Sequence, residues 1–150
     1  MKSLSGSYNK IKDVLAKHEL KATHQRIAIY DIMLYLDDHP TTDQIFNKVC
    51  QYYPSISLAT VYKTLDTFVE KKLIRRVLTT KDAMRYDINI NEHHHLYCES
   101  SDKIIDYEDP ALLKKIMKHF QKKELPFFKI SDIKLQINGK VIERQQKLEF

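Results

Sequence analysis

Only two glycines and four prolines punctuate the 150 residues of this chain. So few turn-forming residues constrain it to long regular elements joined by short connections, and argue against a turn-rich sandwich. An apolar fraction of 43% beside 30% charged residues describes a globular chain of one compact domain or two very small ones. No run approaches the roughly 18 apolar residues of a membrane span, and the opening Met1-Lys-Ser-Leu-Ser-Gly-Ser7 lacks the apolar core of a signal peptide. The expectation is therefore a cytoplasmic protein with no membrane partner. Two cysteines, Cys50 and Cys98, are too few for a disulfide framework.

Lys and Arg exceed Asp and Glu by 25 to 20, which permits nucleic-acid binding without requiring it. Their distribution is more informative. Residues 57–81 carry Lys63, Lys71, Lys72, Arg75, Arg76 and Lys81 against Asp66 and Glu70. Residues 89–109 carry only Lys103 against Glu92, Glu99, Asp102, Asp106, Glu108 and Asp109. A basic half is thus followed by an acidic centre.

Apolar residues at three- and four-residue intervals predict a helix over 8–18, through Ile11, Val14 and Leu15. A second follows over 24–36, capped by Thr23 and carrying Ile27, Tyr30, Met33 and Leu34 on a wide apolar face. Thr41-Thr-Asp-Gln44 has the form of a capping box and opens a third helix, which Pro54 ends. Ser57 caps a fourth, running from Leu58 to about Lys72, with Leu58, Val61, Leu65, Phe68 and Val69 as its apolar stripe and Thr60, Lys63, Thr64 and Thr67 on the wet side. Residues 73–78 and 84–90 then read as a two-stranded hairpin. Helices closing on a basic hairpin predict a winged helix. Beyond it lie strands over 93–98 and 103–107, a helix capped by Asp109 with Pro110 at its first position, and a last strand alternating Ile133, Leu135 and Ile137 with Lys134 and Gln136. The fold class expected is α+β, with an N-terminal winged-helix DNA-binding domain over 1–88 and a small α/β dimerisation and metal-sensing domain over 89–150.

The strongest chemical signal is Glu92-His93-His94-His95-Leu96-Tyr97-Cys98. A strand has a side-chain period of two, so His93 and His95 share one face and His94 takes the other. Paired neutral imidazoles in an acidic neighbourhood suit a divalent transition metal, with Asp87 and Asp106 as candidate oxygen ligands. Periodicity alone leaves His39 as a cap or surface residue, and leaves Tyr62 balanced between core packing and surface contact. No phosphate-cradling loop is present.

Lys21-Ala-Thr-His-Gln-Arg26, His39-Pro-Thr-Thr-Asp43, Tyr53-Pro-Ser-Ile-Ser-Leu-Ala-Thr-Val-Tyr-Lys-Thr-Leu65, Arg85-Tyr-Asp87 and His93-His-His95…Cys98…Lys103-Ile-Ile-Asp106 follow one another here. In order and spacing they resemble the ferric uptake regulator superfamily over about residues 10–139. The resemblance implies a homodimeric repressor with Fe²⁺ or Mn²⁺ as corepressor, bound at a hinge by His39, Asp87, His93, His95 and Asp106, and acting on a palindromic double-stranded operator. Aspartate at both 87 and 106 is similar to the peroxide-responsive branch, whose bound iron oxidises a ligand histidine, here the His39 or His93 position. An iron- or manganese-availability regulator is the alternative. A metal-dependent hydrolase built on His93, His95, Asp87 and Asp106 is disfavoured, because no general base stands apart from the ligands. The protein is therefore expected not to be an enzyme.

For DNA, the resemblance puts Ala59, Thr60, Tyr62 and Lys63 near the major groove, Lys21 and Arg26 near the backbone or minor groove, and Arg75, Arg76 and Lys81 on phosphates. The chain also departs from the family. Where the family's structural zinc uses two C-x-x-C pairs, this sequence has Cys98-Glu-Ser-Ser101 and no later cysteine, so no structural zinc held by four cysteines is expected. Burial of Ile133, Leu135, Ile137 and the neighbouring helix face must then hold the second domain. A second family site is doubtful, since its histidine position is occupied by Ile133, leaving His94 and Glu108 as its possible ligands. The family's proline before Gln-Arg is His24 here.

Overall fold

A computed structural model describes residues 5–36, 39–77, 79, 83–123 and 125–142. The chain divides into two units, Met1–Ile90 and Asn91–Phe150. Both helix and sheet are present, giving the mixed α+β architecture expected of the sequence.

The first unit holds α1 (Ser5–Lys17), α2 (His24–Leu36), α3 (Thr42–Tyr52), α4 (Leu58–Glu70), β1 (Arg75–Val77) and β2 (Arg85–Asp87). Its core gathers one face of each outer helix, including Ile11, Leu15, Ile45, Val49, Val61, Leu65 and Phe68, around α2. Helix α2 buries Ile27, Ala28, Ile29, Tyr30, Ile32 and Met33, a wider surface than its four periodic residues predict, whereas Leu34 is exposed. On α4, Thr64 is buried and Leu58 exposed, the reverse of the expected stripe. The helix turns Thr64 inward beside Leu65 and Phe68, where a small hydroxyl fits and can satisfy itself on the preceding turn. Tyr30 meets Phe68 edge-on at 5.9 Å between ring centres.

The predicted caps are present. Thr41 and Gln44 form a reciprocal capping box, with Gln44 N donating to Thr41 Oγ1 at 3.2 Å and Thr41 N to Gln44 Oε1 at 2.8 Å. Ser57 Oγ accepts from Thr60 N at 3.2 Å, opening α4. The hairpin strands are shorter than predicted, three residues each, and pair antiparallel with Arg76 opposite Tyr86. The turn residues around Lys81 lie outside the described residues.

The second unit contains β3 (His94–Cys98), β4 (Lys103–Tyr107), α5 (Pro110–Lys122) and β5 (Gln136–Gly139). Strand β3 is central, antiparallel to β4 and parallel to β5, so α5 lies on the crossover between the parallel strands. Asp109 Oδ1 caps α5 by accepting from Leu112 N at 2.9 Å. That bond, with a further one from the Tyr107 hydroxyl, draws the Asp109 carboxyl below its ordinary pKa. The expected burial of the α5 and β5 faces is not found. Helix α5 buries none of its residues, Ile133 and Leu135 are half-buried, and Ile137 is 46% exposed. A three-stranded sheet has too little surface to cover that helix and its own outer strand, and the apolar face is left open in the single chain.

Replacing Thr41 by alanine removes one half of the capping box. Urea denaturation of the metal-free variant should show about 1 kcal/mol less stability than the parent.

Candidate metal centre

The second unit brings His93, His95 and Asp106 together. Strand register sets His95 directly opposite Asp106, and the period of two places His93 on the same face. The Asn91 carbonyl lies 2.8 Å from His93 Nδ1. A carbonyl can only accept, so His93 carries its proton on Nδ1 and presents a lone pair at Nε2. That Nε2 lies 3.0 Å from His95 Nε2, and Asp106 Oδ1 lies 3.5 and 3.8 Å from the two. The His93 side chain is fully buried, while Asp106 retains partial exposure.

Three donor atoms so close, from residue types that bind transition metals, fit a divalent cation. Two imidazole nitrogens this close together could bind one ion in common. Without an ion the same contact is an N–H···N hydrogen bond from His95 to His93, which must be given up when the ion binds.

The first unit supplies a second pair. His39 Nε2 stands 3.9 Å from Asp87 Oδ2, and both side chains are at most one-tenth exposed. Asp87 Oδ1 accepts from Asn89 N at 2.7 Å, which orients the other oxygen toward His39. The Asn89 amide thus satisfies one oxygen of this buried carboxylate, while the other faces the His39 imidazole beyond hydrogen-bonding distance.

His39 has a backbone φ of 45°, in the left-handed region. The proline that follows disfavours the right-handed helical conformation at this position, and histidine is one of the side chains that tolerate the left-handed one. Pro40 O accepts from Tyr86 N at 3.1 Å, Thr41 forms a bridge to Arg85, and Arg85 Nη1 donates to the His39 carbonyl at 3.0 Å. The His39 turn is in this way bound to the strand that carries Asp87. Sequence reasoning assigned no role to Arg85, although an arginine two residues before a candidate ligand on a wing strand was the available signal.

His94 is buried, with no hydrogen-bond partner for its Nδ1 among the described residues, while Glu108 is exposed. These two join no third donor there. Cys98 is buried, and its Sγ lies 3.2 Å from Ser100 Oγ. Hydrogen bonds from the Ser100 and Ser101 hydroxyls and from backbone amides lower its thiol to about 6.

The candidate DNA residues lie on the first unit. Ala59, Tyr62 and Lys63 are exposed on α4, and Thr60 is half-buried at its capped start. Lys21 is exposed, and its carbonyl accepts from Arg26 Nη1 at 3.0 Å. On the wing, Arg75 donates to the Ile90 carbonyl and Arg76 pairs with Asp66 of α4. Lys81 lies outside the described residues.

A helical unit ending in a two-stranded wing, followed by a small α/β unit bearing imidazoles and carboxylates, has the architecture of metal-responsive transcription regulators. The chain belongs to the ferric uptake regulator family, whose pattern it matches over residues 17–138. It is 28% identical over 130 residues to the peroxide-responsive repressor PerR of Staphylococcus aureus, covering 85% of this chain and 84% of that protein. Among solved structures, the Campylobacter jejuni peroxide stress regulator is 32% identical with a TM-score of 0.66, covering 88% of this chain and 96% of that one. The Francisella tularensis ferric uptake regulator, solved with iron, is 25% identical with the same TM-score, covering 81% and 92%. No helix among the described residues is long and apolar enough to cross a membrane.

Occupancy of the centre should stabilise the fold by mass action. Mn²⁺ at a hundredfold over its dissociation constant should add about 2.7 kcal/mol. A thermal melt should register this gain in the parent and not in His95→Ala.

Proposed function

We propose that the chain is a cytoplasmic, homodimeric repressor that binds a palindromic double-stranded operator when Fe²⁺ or Mn²⁺ is held by His39, Asp87, His93, His95 and Asp106, and that it senses peroxide. The observation that carries the metal reading is the His93–His95–Asp106 cluster, with two imidazole nitrogens 3.0 Å apart and a carboxylate beside them. The His39–Asp87 pair supplies the remaining donors, and ligands drawn from both units make the ion a selector of one dimer conformation. The open apolar face of α5 and β5 supports the homodimer, since a second copy can bury what one chain leaves exposed.

Peroxide sensing is supported by aspartate at 87 and 106 and by the likeness to two regulators named for peroxide. Fe²⁺ held by these residues would supply the one-electron reducing chemistry that activates hydrogen peroxide. The ligand histidines His39 and His93 are the side chains placed to be oxidised by it, with peroxide as the two-electron oxidant overall and water as its reduced product. An oxidised imidazole would lose its value as a ligand and the operator would be released. On the DNA side, Ala59, Thr60, Tyr62 and Lys63 read the major groove from α4, Lys21 and Arg26 hold the backbone or minor groove, and Arg75 and Arg76 reach phosphates from the wing. To do so Arg76 has to leave Asp66, an exposed pair that costs little to separate.

The first test loads metal-free protein anaerobically with Fe²⁺, adds hydrogen peroxide, and reads its peptides by mass spectrometry beside a Mn²⁺ control. One added oxygen on His39 or His93 in the iron sample alone is expected; intact histidines at full iron occupancy would instead indicate a metal-availability regulator. Asp106→Glu should keep metal-dependent operator binding and lose the peroxide response, whereas His93→Ala and Asp87→Ala should lose the metal dependence itself. Lys21→Ala, which removes a proposed backbone contact, should lower the slope of log affinity against log salt by about one.

A further inference from the structure

The His39 turn is the most constrained backbone near the proposed ligands, and Arg85 is the side chain that fixes it. His39 is held at a φ of 45° with its carbonyl 3.0 Å from Arg85 Nη1. On either side of that contact the backbone is also tied to β2, by Tyr86 N donating to Pro40 O at 3.1 Å and by the bridge between Thr41 and Arg85. Arg85 is half-buried, so its charged donor is partly shielded from water and its bond to a carbonyl is the stronger for it.

We propose that Arg85 is a positioning residue for the metal centre: by holding the His39 carbonyl it fixes the left-handed turn, and so sets where the His39 imidazole stands relative to Asp87. This rests on the reading of His39 and Asp87 as ligands. The geometry explains why a guanidinium does the holding. Arg85 lies two residues from Asp87 on one strand, with backbone pairs to Val77 on one side and to Thr41 on the other. A single side chain therefore couples the ligand of the turn to the ligand of the strand. A histidine left to choose its own backbone conformation would spread its imidazole over many positions, and binding the ion would have to select among them.

A double-mutant cycle in the full-length protein tests this, with Arg85→Met, His39→Ala and their combination titrated with Mn²⁺. Arg85→Met should weaken Mn²⁺ binding about tenfold, in the range expected when a group that orients a ligand is lost. In the His39→Ala background the same change should alter affinity less than about twofold, because there is no imidazole left to position. The Co²⁺ absorption spectrum of Arg85→Met should move toward that of His39→Ala, a readout that a loss of stability alone would not shift. Arg85→Lys, which keeps a charged donor, should recover part of the affinity, and it carries the same cycle if Arg85→Met does not fold. A parent-like affinity in Arg85→Met, or an undiminished effect of Arg85 without His39, overturns the proposal. His39→Ala alone separates the two levels: unchanged Mn²⁺ binding in that variant overturns the ligand assignment beneath the proposal, and the proposal with it, whereas weakened binding there beside a parent-like Arg85→Met overturns the proposal only.

Discussion

Helix α2 is the element on which the first unit depends. Six of its thirteen residues are buried, and in the run from Ile27 to Met33 only Asp31 is not. A helix apolar on nearly all sides must be surrounded, and α1, α3 and α4 each turn one apolar stripe toward it. Helix α2 ends at Leu36 and α3 begins at Thr42, so the connection between them is short. Pro40 and the capping box at Thr41 define that connection, and His39 is the residue in it that takes up the left-handed conformation. Packing of the core thereby reaches the proposed metal site through the backbone. The His39–Pro40 segment that leads into α3 also presents an imidazole to Asp87.

The second unit has the opposite character. Among the described residues, Tyr97, Cys98, Ile104 and the two histidines His93 and His94 are buried, a small core for a sheet of three strands. Tyr97 settles its hydroxyl on Asp102 at 2.6 Å, and Asp102 makes the left-handed turn between β3 and β4. The strands around the histidines are thus well registered, while the α5 and β5 surfaces remain half-covered. Such a unit gains most of its remaining stability from whatever covers that face.

The helix caps were legible because they depend on local physics. Thr23, Thr41, Ser57 and Asp109 cap helices by bonds to residues three positions on. Where the reading failed, tertiary contacts decided. Thr64 is polar yet buried because its side of α4 faces the core, and α5 carries the periodicity of a core helix yet buries nothing in one chain. The candidate centre divides in the same way. The relation of His93 to His95 follows from strand period, whereas His39 gained a role only through family resemblance. Nothing in its local sequence shows that a strand 46 positions later holds its carbonyl.

The choice of aspartate over glutamate is a question of reach set by the sheet. Strand register fixes the backbone of residue 106 opposite His95, so the side-chain length alone determines where the carboxylate ends. One methylene brings Asp106 Oδ1 to 3.5 Å from His93 Nε2 and 3.8 Å from His95 Nε2, close enough to share a cation with both. A second methylene would have to fold back to reach the same point or push the oxygen past the imidazoles, and either change alters how much of a bound ion is enclosed. On the proposed reading, the shorter carboxylate leaves part of the ion's surface open to a small oxidant. On that same reading, one methylene at a register-fixed position is what distinguishes a sensor of peroxide from a sensor of metal alone.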